Sequence, residues 1–528
     1  MLIVAITAHY VDETFELQKD LLDFQEVSVA HFSVNLTKHV LEVLEKYNIH
    51  DRLYCITTDN ASNNDTMVTA LKQLLAEKGI IWNAERNHIP RLAHVINLAV
   101  KNFLNALKIQ SQTSENKWEV LEFKARSLSS KDSWQKYKID SNNPFGRAIQ
   151  KIRKISYLIN WPPSHLKSFQ DMCKMVDIVF MCAIKDVATQ WNSTHNMLAR
   201  AVYLWKAIDT WIRMNTDYVN LILRDDEWTY VEFLVHFLAP FYWTTQLLQF
   251  TSIPTLQQTF ETYESLFNSL DNVKGLFENI TLKPTWIADV ESGMIKMWNK
   301  LWLYYSEAKS YVYCDAILLH SLEKTRWFKR WDWSSEIVTE YQQFLKRRLK
   351  IEYKDDEQEN LKRSFATMIS NESESNSDTE PESEFDIYMS YSRQSVKKQK
   401  ITNPLNWWKQ SRGMFPSLAC MAQDTYAVPV TGSEVKREFS ISGNLVKKRR
   451  NRLNPKTISD LMQYKRWLAR TGVLAKLKLE NDEIIDEESG NENDEEKEEL
   501  NQKLIDWLNK WKQTSSLKDR ADLLSLQA

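Results

Sequence analysis

Residues 52–64 read RLYCITTDNASNN and hold the clearest structural signal in the chain. An apolar, β-branched run ends at Thr58, and a polar run begins at once with Asp59. This change is typical of a buried strand that passes into a polar turn. Asp59 is therefore placed as a metal ligand would be, although the same position also suits a helix N-cap or an Asx turn.

The segments around this strand predict a small α/β unit. Residues 2–11, LIVAITAHYV, predict a strand, and residues 15–17 predict the start of a return strand after a turn. Residues 34–47 carry apolar side chains at helical spacing, and residues 65–78 predict a second helix that stops at Gly79. The order hairpin, helix, strand, helix predicts an α/β layer.

The composition predicts long helices in the rest of the chain. There are only 9 glycines and 12 prolines among 528 residues, together with 20 Trp, 20 Tyr and 21 Phe. This length predicts two or three domains. The scarcity of Gly and Pro argues against an all-β sandwich and against a Gly-rich phosphate loop.

Shifts in composition divide the chain into segments. The Ser- and acid-rich run at 370–386 predicts a solvated linker, and the acidic run at 480–499 predicts a disordered tail. We predict an α/β part at 1–90, a mostly helical region at 91–350, a disordered linker at 351–402, a compact helical segment at 403–468 and an acidic, mostly disordered tail at 469–528.

Several classes of protein find no support. No run of about 18 apolar residues predicts a membrane span, and the start lacks the basic flank of a signal peptide. The five cysteines are scattered, which favours a reducing compartment over a disulfide framework or a zinc site. The net charge of −2 means that any nucleic-acid surface must be local. No GxSxG, Walker A, HExxH or dinucleotide motif occurs, so we expect no small-molecule substrate.

Four motifs occur in a fixed order that resembles the hAT superfamily of transposases. They are ITAHYVDETFEL from residue 6, ITTDNASNN at 56–64, RLAHVINLAV at 91–100 with DVATQWNSTHNMLARAVYLWKAI at 186–208, and LNWWKQSRGMFPSLACMAQDTYAVPV with REFSISGNLVKKRRNRLNPKTISDLM across 405–462. The resemblance covers roughly residues 1–350 and 403–468.

This resemblance implies a fold and a chemistry. The fold is an α/β RNase H-like core with a mixed sheet, interrupted by a large all-α insertion and followed by a C-terminal helical dimerisation segment that packs on the core. In such transposases three carboxylates hold two Mg²⁺ or Mn²⁺ ions, which drive an in-line displacement at phosphorus. Asp59 matches the second of these carboxylates, and it is the one member of the triad that is in register.

The first carboxylate has no counterpart in this sequence. In the family it lies on the strand that precedes the ITAHYVD strand, so we expect that strand, and the family's N-terminal zinc finger, to be missing from a chain truncated at Met1. Asp12 is not a substitute, because it is predicted to lie in the turn after the strand. Any Mg²⁺ or Mn²⁺ is expected only if catalysis survives.

The third carboxylate is replaced. Alignment on Phe439 and Ser440 places Lys436 where the family has its catalytic Glu. A lysine brings a positive charge instead of a metal ligand, and the nearby Glu434 and Glu438 are out of register.

Further positions bear on DNA contact. The resemblance implies that Trp191, beside Asn192, stacks on a flipped base, whereas a buried core or cap tryptophan is the structural alternative. Gln190 stands where the family has an arginine, and Pro90 and Arg91 stand where the family usually has an Arg-Cys pair.

The C-terminal segment supplies candidate dimerisation residues. By resemblance these large apolar side chains pack on the core and on a partner chain, although they equally suit the chain's own core. They are Trp407, Trp408, Pro416, Leu418, Met421, Phe439, Ile441, Leu453 and Leu461.

A basic cluster lies between these apolar positions. Its members are Lys447, Lys448, Arg449, Arg450 and Arg452. Such a run can neutralise DNA phosphates in a salt-dependent way or act as a nuclear localisation signal, and its plain alternative is a solvated surface.

Three functions remain open at this level. The first is a catalytically defective, transposase-derived nuclear protein that forms homodimers or pairs with related hAT transposases and binds DNA. The second is an active, metal-dependent DNA transposase whose gene model is truncated at its N-terminus. The third is a protein–protein scaffold without DNA contact. Lys436 argues against the second, because truncation does not account for that residue.

Overall fold

The computed structural model of the chain describes most of its N-terminal two thirds and part of its C-terminal third. The described residues are 2–27, 32–59, 62–109, 143–187, 191–248, 253–281, 283–307, 311–353, 383–391, 403–445 and, within 456–464, all but 458, 459 and 463. The basic cluster 447–452, Leu453, Gln190, most of the predicted linker and the predicted acidic tail lie outside these residues.

The described residues are mostly helical and contain four strands. The strands are β1 Leu2–Val11, β2 Leu17–Val27, β3 Ile56–Thr58 and β4 His88–Pro90. The helices are α1 Phe32–Lys46, α2 Ser62–Glu77, α3 Ala84–Asn87, α4 Leu92–Ala106, α5 Pro144–Asn160, α6 Pro163–Met175, α7 Trp191–Tyr203, α8 Trp205–Met214, α9 Asp225–Leu248, α10 Thr259–Glu278, α11 Thr285–Glu307, α12 Tyr311–Leu318, α13 Thr325–Arg330, α14 Ser335–Glu352, α15 Glu384–Ser390, α16 Pro404–Ser411, α17 Pro416–Ala427 and α18 Ser433–Leu445. Two 3₁₀ helices lie at Thr216–Leu221 and Leu256–Gln258.

These elements form two compact units. The strand-containing unit draws its described residues from 1–94, 247–262 and 305–482. The helical unit draws its described residues from 95–246 and 263–304. None of the described helices is long and apolar enough to cross a membrane.

The N-terminal hairpin forms as the sequence predicts. Strands β1 and β2 pair antiparallel along their whole length. In the turn, the Asp12 carboxylate accepts hydrogen bonds from the Thr14 backbone N–H at 2.9 Å and the Glu16 backbone N–H at 3.0 Å. The Thr14 hydroxyl also donates to it, at 2.7 Å, and these bonds lower the pKa of Asp12 to about 2. Asp12 therefore stabilises the turn.

The prediction of one mixed sheet is corrected by the structure, in which the described strands form two separate two-stranded sheets. One is the β1–β2 hairpin, and the other is a short parallel pair of β3 and β4. The strand predicted across residues 52–58 begins only at Ile56. The Tyr54 carbonyl instead accepts hydrogen bonds from the Trp82 indole N–H at 3.0 Å and the Asn87 amide at 2.6 Å, so it is not free for a sheet partner.

The two helices predicted around this strand are confirmed as α1 and α2. They pack on each other through an apolar core, which includes Leu36, Met67, Leu71 and Leu75. Gly79 follows α2 with a positive φ of 78°, a conformation that glycine adopts without strain. The positions of these two helices could therefore be predicted from the sequence.

Helix α15 is a second departure, because its residues fall inside the predicted linker. Ser383 caps this helix through a capping box with Asp386. Phe385 and Tyr388 are buried, and the buried Lys324 ammonium donates to the Tyr388 carbonyl. Two apolar anchors thus outweigh the acid-rich composition of the surrounding sequence.

The helical unit contains an aromatic core and a buried charge cluster. Phe145, Phe233 and Trp286 lie with ring centroids 5.6 to 6.2 Å apart. Glu227 is fully buried, and its carboxylate accepts hydrogen bonds from Arg147 Nε at 2.9 Å and Lys151 Nζ at 2.6 Å.

Candidate functional site

The candidate site lies at the carboxyl end of the parallel strand pair. Strand β3 ends at Thr58 and is followed by Asp59, while β4 ends at Pro90 and is followed by Arg91. Because the strands are parallel, both chain ends emerge at the same edge. The Arg91 backbone N–H donates to the Thr58 carbonyl at 3.0 Å, which fixes the two ends side by side.

Asp59 is bound to the first turn of α2. The Asn64 amide donates to Asp59 Oδ1 at 2.5 Å and to the Asp59 carbonyl at 3.0 Å. The Asp59 residue is half-buried. The Asp59 carboxylate is thus held by the Asn64 side chain, and its charge acts on the neighbouring Arg91.

Arg91 lies against a backbone surface that only glycine provides. A Cβ placed on Gly432 would stand 2.5 Å from Arg91 Cζ, 2.6 Å from Nε and 2.7 Å from Nη1. The Nε atom of Arg91 is buried, and within the described part of the chain it has no hydrogen-bond partner. Burial lowers the pKa of the Arg91 guanidinium, and the charge of Asp59 partly offsets this effect.

Lys436 brings a second positive charge to the same place. Its backbone N–H donates to the Gly432 carbonyl at 3.0 Å, so the first turn of α18 carries Lys436 beside Arg91. Partial burial of its charged end and the neighbouring Arg91 lower the pKa of Lys436, although much of its side chain is exposed. The edge therefore holds one carboxylate and two cations.

This donor set does not fit a Mg²⁺ or Mn²⁺ ion. Such ions are held by several hard oxygen ligands, and here Asp59 is joined by an arginine and a lysine. Across the described part of the chain, no group of three or more His, Cys, Asp or Glu side chains could hold a metal. The nearby Glu434 is buried and pairs instead with Lys19 at 3.3 Å and Arg437 at 3.1 Å.

The C-terminal segment is fixed to this edge by hydrogen bonds to its backbone carbonyls. The Thr57 hydroxyl donates to the Pro429 carbonyl at 2.9 Å, and the Leu92 N–H donates to the Val430 carbonyl at 2.9 Å. These two bonds place Gly432 and α18 against the ends of β3 and β4.

Arg91 is the site residue whose role the sequence did not predict. Its position was visible as a departure from the Arg-Cys pair of the resembled family. The signal that could have identified Arg91 is its place directly after β4. A residue that follows a strand parallel to β3 lies near Asp59, which follows β3.

The residues proposed to contact DNA in the helical unit are mostly enclosed. Trp191 begins α7 and is 2% exposed, so its ring does not lie on the surface of this structure. The Asn192 side chain is half-buried, and its Oδ1 has no hydrogen-bond partner. His195 is buried and its Nε2 lies 3.2 Å from the Val235 carbonyl.

Four of the nine candidate dimerisation side chains lie inside the chain's own core. Trp407, Trp408, Leu418 and Met421 are each no more than 1% exposed, and the Trp408 indole donates to the Leu319 carbonyl at 3.1 Å. Pro416 is the first residue of α17. These side chains therefore build the fold around α16 and α17.

The remaining candidates lie nearer the surface. Phe439 and Leu461 are each 37% exposed, and the Phe439 ring lies 5.4 Å from that of Phe24 on β2. Ile441 is half-buried against Phe24 and Met462. Among the described candidates, Phe439 and Leu461 are thus the two most accessible to another chain.

Three segments of the chain match models of known protein families. Residues 2–85 match the ZBED1 RNase-like domain, residues 89–237 match the ZBED1 RNase-like helical domain, and residues 384–468 match the hAT family C-terminal dimerisation region. The chain is a transposase-like protein of the hAT superfamily. The sequence resemblance is thereby confirmed at the level of the superfamily.

Individual relatives of this hAT transposase-like chain carry several kinds of name. It is 26% identical over 87% of its length to a putative transcriptional regulator, tpeD, of Talaromyces stipitatus. It is 22% identical over 88% of its length to the putative AC transposase of Zea mays, and 21% identical over 88% to the zinc finger BED domain-containing protein RICESLEEPER 2 of Oryza sativa. The aligned part covers 51%, 55% and 62% of these three relatives.

Proposed function

We propose that this chain is a hAT transposase-derived nuclear protein that associates with copies of itself or with related transposases, and that its RNase H-like edge does not cleave DNA. The observation that carries the proposal is the pair of cations, Arg91 and Lys436, beside the one carboxylate in register, Asp59. Duplex DNA is the partner that this origin favours.

The chemical argument concerns charge. Two-metal catalysis at phosphorus needs acidic side chains that concentrate positive ions around the reacting oxygens. Here the protein supplies positive charge through Arg91 and Lys436, which repel a divalent cation and cannot coordinate it. Neither cation binds a water as a metal ligand, so the edge lacks the metal-bound hydroxide that serves as nucleophile in that chemistry.

The argument for self-association is compositional and geometric. Residues 384–468 match a dimerisation region, and Phe439 and Leu461 remain partly exposed there. The buried tryptophans Trp407 and Trp408 support the interface indirectly, because they hold α16 and α17 in place.

A nicking assay tests the loss of catalysis. Purified chain is incubated with supercoiled DNA and Mn²⁺, beside an Asp59→Asn variant. We expect equal background nicking from both proteins. Metal-dependent nicking that disappears in Asp59→Asn would favour the alternative of an active transposase and overturn the proposal.

A binding titration separates the proposal from the scaffold alternative. We expect the affinity for duplex DNA to fall steeply as salt rises, because phosphate contacts release counterions. Dimerisation without any salt-dependent DNA binding would instead favour a protein–protein scaffold.

A further inference from the structure

Among the described residues, the edge at Asp59 carries more positive than negative charge. The Arg91 guanidinium lies against Gly432, and the Lys436 backbone N–H donates to the Gly432 carbonyl, so both residues meet at this glycine. The charge of Arg91 lowers the pKa of Lys436, and Asp59 supplies one negative charge near Arg91. The Oδ1 atom of Asp59 also accepts a hydrogen bond from the Asn64 amide. Like charges held together in this way are unfavourable unless an anion lies between or beside them.

The hydrogen-bonding capacity of Arg91 is also incomplete. Its Nε is buried and has no partner, which is uncommon because a buried donor without an acceptor costs free energy. The guanidinium is nevertheless positioned by close backbone contact, since a side chain at Gly432 would collide with three of its atoms. The arginine is therefore held in place without being fully paired.

The two cations differ in a way that suits one class of anion. A guanidinium presents a planar fork that can bind two oxygens, while an ammonium acts as a compact point charge. A tetrahedral phosphate has enough oxygens to accept from both groups at once. A carboxylate can also bridge an arginine and a lysine, as Glu227 does, but a phosphate offers additional oxygens for the remaining N–H donors of both groups.

We propose that Arg91 and Lys436, positioned by Gly432 at the ends of β3 and β4, form a phosphate-binding site that the protein uses without a metal ion. The phosphate is either a terminal phosphate or a phosphodiester of a nucleic-acid backbone. This proposal goes beyond the proposed loss of cleavage, because it assigns a ligand to Arg91 and Lys436.

The experiment measures phosphate affinity directly. Inorganic phosphate is titrated into the full chain by calorimetry, beside Lys436→Gln and the matched control Lys38→Gln, which removes an exposed lysine of α1 in the same unit. We expect Lys436→Gln to weaken phosphate binding about 10-fold, which corresponds to about 1.4 kcal/mol, and Lys38→Gln to leave it within about 2-fold. Equal affinities for all three proteins, or no binding to the wild-type chain, would overturn the proposal.

A second variant tests the part played by Arg91 without removing its charge. Gly432→Ala places a methyl group where the guanidinium lies, so Arg91 must move. We expect a loss of phosphate affinity similar to that of Lys436→Gln in a chain whose circular dichroism spectrum is unchanged. If Gly432→Ala unfolds the chain, Lys436→Gln alone decides the question, because that side chain is largely exposed.

The source of the phosphate is resolved by competition. A blunt duplex without 5′ phosphates that displaces inorganic phosphate, with a loss in Lys436→Gln, identifies a phosphodiester. Displacement only by a 5′-phosphorylated oligonucleotide identifies a terminal phosphate. The nicking assay with Asp59→Asn stays independent, so that failure of this site and failure of the proposed function give different results.

Discussion

Glu227 in the helical unit and Asp59 in the strand-containing unit are both carboxylates with cationic neighbours, but their surroundings differ. Burial alone would raise the pKa of Glu227, yet hydrogen bonds from Lys151, the Arg224 backbone and Arg147 lower it overall. Asp59 stands beside Arg91, whose Nε lacks a partner and which faces a second cation, Lys436. Around Glu227 the hydrogen bonds are made within the protein, whereas around Arg91 they are incomplete.

This difference separates a structural charge cluster from a binding site. A buried ion pair whose members are all hydrogen-bonded fixes the packing of the helices that carry it. An arginine with an unused donor and a like-charged neighbour costs stability until a ligand supplies the acceptor. Two of the predictions below test these opposite rules, and a third tests a buried neutral histidine in the helical unit.

The largest expected effect is at Glu227. We predict that Glu227→Gln lowers the free energy of unfolding of the helical unit by about 3–5 kcal/mol, because Lys151 and Arg147 lose their buried counter-charge. Urea denaturation measures the change. The control Glu278→Gln, whose carboxylate is exposed and 4.0 Å from Lys274, is expected to cost less than about 0.5 kcal/mol. Equal costs for the two variants would contradict the structural role.

A smaller effect is expected from protonation of His195 in the same unit. Burial lowers the pKa of this histidine from 6.5 to about 4, so the folded chain keeps the ring neutral where the unfolded chain takes up a proton. The contribution of the neutral His195 ring to the free energy of unfolding is therefore fully present above pH 6.5. It is lost as the pH drops toward 4, by up to about 3 kcal/mol.

The pH dependence is measured by urea denaturation between pH 7 and 4 on the wild-type chain and on His195→Gln. We expect a shallower decline in the variant, because one of the buried neutral histidines is gone. A partial decline should persist, since burial and His195 also lower the pKa of His236 to about 4. Parallel curves for both proteins would show that His195 is not buried as described.

The smallest effect is expected at the sheet edge. We predict that Lys436→Gln changes the free energy of unfolding by less than about 1 kcal/mol, in the stabilising direction, because Arg91 loses a like-charged neighbour. Inorganic phosphate should then stabilise the wild-type chain more than the variant, since a ligand that binds only the folded state adds to its stability. A loss of several kcal/mol would place Lys436 with the structural clusters instead.

The sequence predicted those parts of the fold that depend on local pattern. The β1–β2 hairpin, the α1 and α2 helices and the stop at Gly79 all follow from periodicity and turn chemistry within short windows. The separate β3–β4 pair was not predicted, because its two strands lie about 30 residues apart in sequence. The late start of β3 was not predicted either, because Trp82 and Asn87 occupy the Tyr54 carbonyl from a distance in sequence. Local patterns carry no information on such partners.

The candidate site was predictable only in part, for a similar reason. Asp59 and Lys436 were found by register against a resembled family, and the structure places both at one sheet edge with Arg91. The resemblance marked Trp407 and Trp408 as dimerisation candidates, but large apolar side chains suit the chain's own core equally, and the structure buries both there. Exposure of Phe439 became visible only in three dimensions.

The hydrogen bond between Thr57 and Pro429 has a consequence for biosynthesis. It joins residues 372 positions apart, and the ion pair between Lys19 and Glu434 spans 415 positions. At roughly 5–20 residues per second, a ribosome needs on the order of 20 to 70 seconds to make the intervening chain. During that interval the N-terminal hairpin is without its partner segment, so the strand-containing unit can close only after Glu434 has been synthesised.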